Sequence, residues 1–407
     1  MNSNPEIELK ESVTFTLQLA KALQQNGIPA HRMEETLFNV CEKLNIKGGF
    51  FTSPGGLIIN IGQDDNQKTH FIKAAYGDLN LEKIDKIDTI YKNVILKKLS
   101  AGEGVKELEK INSAPDRYST LMDILFFGLS TGSAARLFGG GYAEIIVSGI
   151  IGLFIGILNE LANRFPRIGR TVIVISSLFA MAFAKLAVAF LGNYSIDIAT
   201  ITGLIILIPG FSFTVSITEL VNGHPIAGTA RFANTIIALL MIGLGIGIGS
   251  QIDKIIEIVP ATIMLPAIPS WTLWIALTTV PLGFVVLFKA IPKDFIWILL
   301  ACLCSYFSFK FGSIYFGKYL AVFIASFSLG ITSNIFALLF DRPVSIMLVP
   351  GIILLVPGSL GFQSISDLMT NQTLHGIETA FSMTITTIAL VAGIVFSNII
   401  LSAKKSF

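Results

Sequence analysis

The sequence predicts a membrane all-α protein. Ten transmembrane helices form two five-helix inverted repeats, preceded by a small soluble α/β domain. Three observations predict it. The 407 residues are 53% hydrophobic and only 14% charged, against about 25% charged in an ordinary soluble domain. The charges crowd into the first 120 residues, in runs such as "LEKIDKIDTIYKNVILKKL". And the chain writes one phrase twice, "GLIILIPG" from Gly203 and "GIILLVPG" from Gly351.

The soluble domain spans 1–118. Residues 11–46 read as amphipathic helix with a turn at Asn26-Gly27-Ile28-Pro29. "GFFTSPGGLIINI" reads as two strands around Pro54-Gly55-Gly56, and "KTHFIKAAY" as a third. Helix resumes at "LEKIDKIDTIYKNVILKKL", and "NSAPDRYS" leads into the membrane. The first residues, "MNSNPEIELKESV", are polar and lack a signal-peptide core, so this domain is expected in the cytosol. His31, Arg32, Glu34 and Glu35 cluster after the turn; a solvated helix start accounts for them better than a metal or catalytic site. Ser53 has no base paired with it and reads as a turn residue. No phosphate loop or catalytic triad is present, so no cofactor is expected.

A bilayer core takes about 20 apolar residues per helix. Ten segments qualify: 121–139, 143–163, 171–191, 197–215, 229–250, 271–289, 294–311, 319–340, 344–361 and 376–402. They divide into a first repeat (119–250), a connector (251–270) and a second repeat (271–403). Orientation follows Lys and Arg. Arg164, Arg167, Arg170, Arg231, Lys289, Lys293, Arg342, Lys404 and Lys405 fall on the side of the soluble domain. Lys254, Lys310 and Lys318 fall opposite. Both termini are therefore expected inside a plasma or inner membrane. The net charge of +2 and mixed-sign Lys runs argue against nucleic acid. Cys41, Cys302 and Cys304 form no disulfide framework or zinc spacing.

Sliding the chain by 148 residues aligns 203–228 with 351–376 without a gap, and nine of the 26 positions are identical. Chance gives roughly two at ordinary composition. Glu219 falls on Asp367 and Thr218 on Ser366. Five helices per copy is odd, so the second copy must run the opposite way through the bilayer. Inverted pairs of this kind serve alternating access; a duplicated anchor or a passive channel is the other reading. Pro209-Gly210 and Pro357-Gly358 are expected to end or break the fourth helix of each half. The polar text beyond them then lines a cavity or forms a loop.

"GIPAHRMEETLFNVCEKLNI", "IPGFSFTVSITELVNGHPIAGTARFANTIIALL" and "VPGSLGFQSISDLMTNQTLHGIETAFSMTITTIALVAGIVFSNII" resemble, in that order, the soluble domain and the two membrane halves of the threonine/serine exporter family. The resemblance covers nearly the whole chain. It implies export of small polar metabolites, chiefly threonine and serine, driven by the proton gradient. Split members imply dicarboxylates instead, so the partner is a small molecule, an amino acid or dicarboxylate, together with protons and the lipid bilayer. A homo-oligomer stays open. From the family's pattern, Gly139–Gly141 form the turn after the first helix. The site residues carried over are Pro209, Gly210, Glu219, Gly228 and Arg231, then Pro357, Gly358, Ser364, Asp367 and Gly376. Ser216 joins them as the repeat partner of Ser364. His224-Pro225 stands where the pattern expects an acidic or small residue.

Charged or polar groups inside spans are functional candidates by default. Asn159 and Glu160 lie near the inner end of the second helix. Lys185 lies in the third, where it either snorkels outward or meets a carboxylate. Glu378 and Thr386 belong to a polar face of the tenth helix. Asp123, Arg136, Glu144 and Asp197 lie near helix ends. The rival from another class is a membrane-anchored hydrolase working through residues 1–118.

Overall fold

A computed structural model describes residues 5–63, 66–74, 77–169, 171–262, 266–369 and 372–402. Arg170, Lys404 and Lys405, which entered the orientation argument, lie outside the described residues. So do Ala75 and Tyr76 at the end of the expected third strand.

The soluble domain begins with α1 (Pro5–Gln25) and α2 (Ala30–Lys43). The reversal between them needs Gly27, at φ +76°. A three-stranded antiparallel sheet follows in the order β1 (Lys47–Ser53), β2 (Gly56–Gly62), β3 (Lys68–Ile72). Its alternation is plain on β2: Leu57, Ile59 and Ile61 are buried against Leu19, Leu23, Met33 and Leu37, while Ile58 faces out. The Ser53 hydroxyl donates to the Gly56 carbonyl at 2.9 Å and closes the hairpin. The later helical text is two helices, α3 (Leu81–Ile95) and α4 (Ala101–Ser113). Asn80 caps the first, and the Ser100/Glu103 capping box opens the second.

The first membrane repeat is α5 (Thr120–Leu137), α6 (Tyr142–Arg164), the single turn α7 (Pro166–Gly169), α8 (Val172–Leu191), α9 (Ile196–Gly203), α10 (Gly210–Val221) and α11 (Pro225–Gly249). The second is α12 (Thr272–Leu287), α13 (Phe295–Phe316), α14 (Lys318–Phe340), α15 (Ser345–Leu355), α16 (Gly358–Met369) and α17 (Thr373–Ile400). Among the described residues, seven helical stretches are long and apolar enough to cross a membrane by length and composition. α12 is apolar but shorter, and α5 falls short of that measure, with Asp123, Arg136 and a run of Ser, Thr and Gly within it. The expected single helices 197–215 and 344–361 are each divided in two, at the Pro-Gly pairs.

The two repeats pack alike. α8 lies on α11 as α14 lies on α17. A Cβ on Gly245 would stand 2.6 Å from the Val174 carbonyl and 2.9 Å from the Leu178 nitrogen. On Gly393 it would stand 2.6 Å from the Phe323 carbonyl and 2.9 Å from the Phe327 nitrogen. Both crossings also meet a serine hydroxyl, Ser177 in one and Ser326 in the other. Close approach of backbones at glycine is how membrane helices gain contact where lipid offers no hydrophobic drive. Between halves the partners are exchanged: α11 packs on α16, and α10 on α17.

The soluble domain sits on three membrane turns. α3 presents its first N–H groups to the α12–α13 turn, Leu81 N to Phe288 O at 2.9 Å and Glu82 N to Lys289 O at 3.2 Å. Arg342, after α14, pairs with Asp85 of α3 (Nη2 to Oδ2, 2.9 Å) and also with Asp294. Lys92 joins Asp88 at 2.7 Å to Asp341 at 2.8 Å. The third turn, between α10 and α11, receives α2.

Candidate functional site at the paired helix breaks

The two breaks touch. α10 starts at Gly210 and α16 at Gly358, each directly after its proline. Proline has no N–H to donate and crowds the preceding turn, which favours a break there when glycine follows, although Pro281 and Pro350 are carried inside α12 and α15. A Cβ on Gly210 would stand 3.0 Å from Gly358 Cα, and one on Gly358 would stand 3.7 Å from Gly210 Cα. Both residues must be small for the breaks to meet. The breaks differ in length. Leu204–Pro209 is an irregular turn, whereas Val356-Pro357 alone separates α15 from α16.

The polar text after each break is helix, with its hydroxyls turned onto backbone carbonyls. Thr214 donates to Gly210 O, Ser216 to Phe213 O at 2.7 Å and Thr218 to Thr214 O at 2.9 Å. Ser364 donates to the Gly376 carbonyl at 2.7 Å, joining α16 to α17. Glu219 and Asp367 therefore lie at the far ends of α10 and α16, nine residues beyond the glycines and about 13 Å along the axis.

The turns that follow share one backbone plan. His224 N bonds Glu219 O at 2.9 Å, and Gln372 N bonds Asp367 O at 2.8 Å. A Cβ on Gly228 would stand 2.9 Å from Ser216 O, and one on Gly376 would stand 2.9 Å from Ser364 O. Those glycines let α11 and α17 fold back on α10 and α16.

Around Glu219 the structure gathers residues from distant parts of the chain. Its carboxylate is 0% exposed. Arg231, in the second turn of α11, donates from Nε to Oε2 at 3.1 Å and from Nη2 to Oε1 at 3.2 Å. The backbone N–H of Ala30, first residue of α2, donates to Oε1 at 3.1 Å. This is a charge-assisted cap across a domain boundary. His224 Nδ1 stands 3.6 Å from Glu34 Oε2, and Glu34 Oε1 accepts from the Thr52 hydroxyl at 2.7 Å. The His31 and His224 rings are 6.4 Å apart. Burial, with Arg32, His224 and Arg231 nearby, pushes His31 down to about 3, so it is neutral, and its buried Nδ1 has no partner among the described residues. The sequence cluster His31-Arg32-Glu34-Glu35 is thus only partly a solvated helix start. Glu35 is 62% exposed beside Arg32, whereas His31 and Glu34 face His224 of the membrane domain.

Asp367 is placed differently. Its side chain is 20% exposed and stands 3.7 Å from His375 Nε2, while His375 is 64% exposed. Thr379, at the repeat position of Arg231, is buried and bonds its own helix at His375 O.

The remaining candidates separate clearly. Lys185 meets a carboxylate: Nζ pairs with Asp253 and donates to Ser250 O at 2.8 Å. Glu160 pairs with Arg164 at 2.9 Å along one helix face, and Asn159 beside it is exposed. Glu378 is exposed and lies 3.9 Å from His375. Thr386 is buried and donates to Ser382 O at 2.6 Å, an internal helix bond. Glu144 accepts from Gly141 N at 2.9 Å and Ser195 N at 2.8 Å, tying the Gly139–Gly141 turn to α9. Asp123 pairs with Lys289, and Arg136 donates to Thr272 at 2.8 Å. Sequence reading missed Ala30, Asp85, Asp253, Asp294 and Asp341 as partners, because all act across sequence separations that carry no periodic signal.

Comparison with known proteins gives the family. A family profile described as "Putative threonine/serine exporter" matches residues 14–253, and one described as "Threonine/Serine exporter, ThrE" matches 272–400. Among curated relatives, a pheromone-regulated membrane protein 10 of Eremothecium gossypii is 24% identical over 413 residues, 95% of this chain and 55% of the relative. The protein of that name in Debaryomyces hansenii is 28% identical over 244 residues, 58% of this chain and 24% of the relative. That of Saccharomyces cerevisiae is 27% identical over 243 residues, 58% and 31%. The chain thus spans between about a quarter and just over half of these relatives. No solved structure matches it significantly. Two profiles, one over each half and together covering the soluble domain, both breaks and both acids, place the chain: it belongs to the threonine/serine exporter family.

Proposed function

We propose that this chain is a secondary active exporter of threonine or serine, driven by proton entry, in which two oppositely oriented halves alternate access to a site between them. The observation that carries the reading is the meeting of Gly210 and Gly358, where two broken helices from like halves abut and exchange partners. Discontinuous helices at a repeat interface are where such transporters bind substrate, because their free backbone ends lie at membrane depth. Glu219 and Asp367 are the gate acids of the two halves. The soluble domain and both termini face the cytosol, and the chain works in the plasma or inner membrane without nucleotide.

The test is counterflow in proteoliposomes over a panel of amino acids and dicarboxylates. Threonine or serine should exchange, and an imposed pH difference should drive net flux without ATP. Flux indifferent to pH would leave a passive channel, and exchange of dicarboxylates alone would move the substrate class. Topology is checked separately. Single cysteines at Asn222 and Leu374, in a background without Cys41, Cys302 and Cys304, should label from opposite sides. Labelling from one side would end the inverted repeat.

A further inference from the structure

On the face away from the soluble domain, a cavity of about 480 Å³ opens between the halves. α8 and α9 supply Lys185 and Asp197, Ser250 directly follows α11, and α16 supplies Ser366 and Met369. Its size falls in the range of small-molecule sites.

The charges there need an explanation. Lys185 is held by Ser250 O and Asp253. The other half makes the same tie with no charge. Asn334 aligns with Lys185 when Ser326 is set on Ser177, and its Nδ2 donates to Asn398 Oδ1 at 2.9 Å and Leu401 O at 2.6 Å. Asn398 and Leu401 are the repeat positions of Ser250 and Asp253. Two amides therefore suffice to join the ends of the third and fifth helices. Asp197 likewise aligns with Ser345, which is buried, whereas Asp197 is exposed to the cavity and has no ion-pair partner among the described residues. Intramembrane charges that packing does not require mark a ligand path.

We propose that this cavity binds a small zwitterion, its carboxylate on Lys185 and its ammonium on Asp197. The lining carries one positive and one negative group, Lys185 and Asp197, and Asp253 pairs with Lys185 from outside the lining; that charge pattern suits a zwitterion and repels a dianion. This rests on the exporter reading for its substrate class, but not for its geometry.

The test is titration calorimetry of L-threonine and of succinate into the full chain in lipid nanodiscs. Two variants address the two contacts: Asp197→Asn, and Lys185→Gln with Asp253→Asn, which rebuilds the neutral tie of the other half. The parent should bind L-threonine and not succinate. Each variant should weaken L-threonine binding at least about tenfold, roughly 1.4 kcal/mol, while melting as the parent does. Equal L-threonine affinity in parent and both variants overturns the site, as does a parent that binds no L-threonine. If counterflow persists in the variants, the site falls and the exporter reading stands. If the parent binds through these residues yet shows no counterflow, the site stands and the exporter reading falls.

Discussion

The α10–α11 and α16–α17 turns have one backbone and two environments. Both place an acid at the end of a short helix, bond its carbonyl five residues on, and reverse at a glycine packed on a serine carbonyl. Yet Glu219 is sealed under α2 with Arg231 across it, and Asp367 is 20% exposed beside an exposed histidine. The repeat explains the sameness. What covers each turn explains the difference, since the deeper a carboxylate lies, the more it depends on fixed partners. The two acids, aligned by the sequence repeat, thus sit one in a buried clamp and one in a more accessible place. In the exporter reading, Asp367 is the more accessible of the two acids, and Glu219 is reached only when the domain over it shifts.

The largest effect should come from breaking the sealed turn. Arg231→Met strands a buried carboxylate and should cost roughly 3–5 kcal/mol, read as a lower temperature for loss of monodisperse protein on heating. Asp367→Asn, removing a partly hydrated acid, should cost under about 1 kcal/mol. Equal losses would erase the contrast. In transport, Glu219→Gln should depress flux at all pH values, whereas Asp367→Asn should flatten its dependence on the imposed pH difference.

Next comes the clamp that holds the domain over the membrane turns. Arg342 has two carboxylates, Asp85 and Asp294, and its charge is firmly held by them even against burial. Arg342→Gln leaves both acids facing each other, and should cost roughly 2–5 kcal/mol of docking. Trypsin should then cut the 112–119 linker at Arg117 faster than in the parent. An unchanged cleavage rate would mean that α3 is held by its backbone bonds alone.

A third effect is a pH dependence with a definite sign. Docking holds His31 near 3, against an ordinary 6.5. The docked form therefore binds fewer protons, and docking weakens as pH falls from 6.5 toward 3, by up to about 2 kcal/mol at pH 5. Asp88 opposes it: burial, offset by Lys92, pushes it up to about 7, so its contribution improves as pH falls from 7 toward 4. Glu82, held near 2 chiefly by Arg117, acts only below about 4.5. The difference between parent and His31→Phe over pH 5–7 isolates the histidine. Linker cleavage of the parent should accelerate relative to the variant as pH drops, and parallel curves would place His31 in water.

How much of this was legible in the sequence follows from the range of each interaction. The soluble sheet, the caps and the Pro-Gly breaks are local, and the residue types that make them sit within a few positions of one another. The repeat is legible because duplication copies letters. The division of 197–215 into α9 and α10 was half legible: proline marks the stop, but nothing in "FSFTVSITELV" says whether chain beyond it is loop or helix, since Ser and Thr serve both. The seal over Glu219 was not legible. It joins Ala30 to Glu219 over 189 residues, through a backbone N–H that every residue but proline has. The cluster His31-Arg32-Glu34-Glu35 was visible as charge, and its partner was not.

The smallest expected effect tests whether the second turn is as open as it looks. His375 touches Asp367 at 3.7 Å and Glu378 at 3.9 Å, and is 64% exposed. Exposed pairs at such distances give up little, because water screens them and two side chains must be held still to make them. His375→Gln should therefore shift the heating midpoint by no more than a change of about 0.5 kcal/mol would. Placing a cation at the repeat position is the sharper version. Thr379→Arg sets a guanidinium at the repeat position of Arg231, one turn from His375, with Asp367 in reach of its fork. With no domain above the turn to dry the pair, the gain should stay below about 1 kcal/mol, and added salt should remove it because exposed charges are screened within about 10 Å at 0.1 M. The same arginine opposite a sealed acid would be insensitive to salt. A large, salt-resistant stabilisation from Thr379→Arg would show that Asp367 is as dry as Glu219, and that the turns differ in their cations rather than in what covers them.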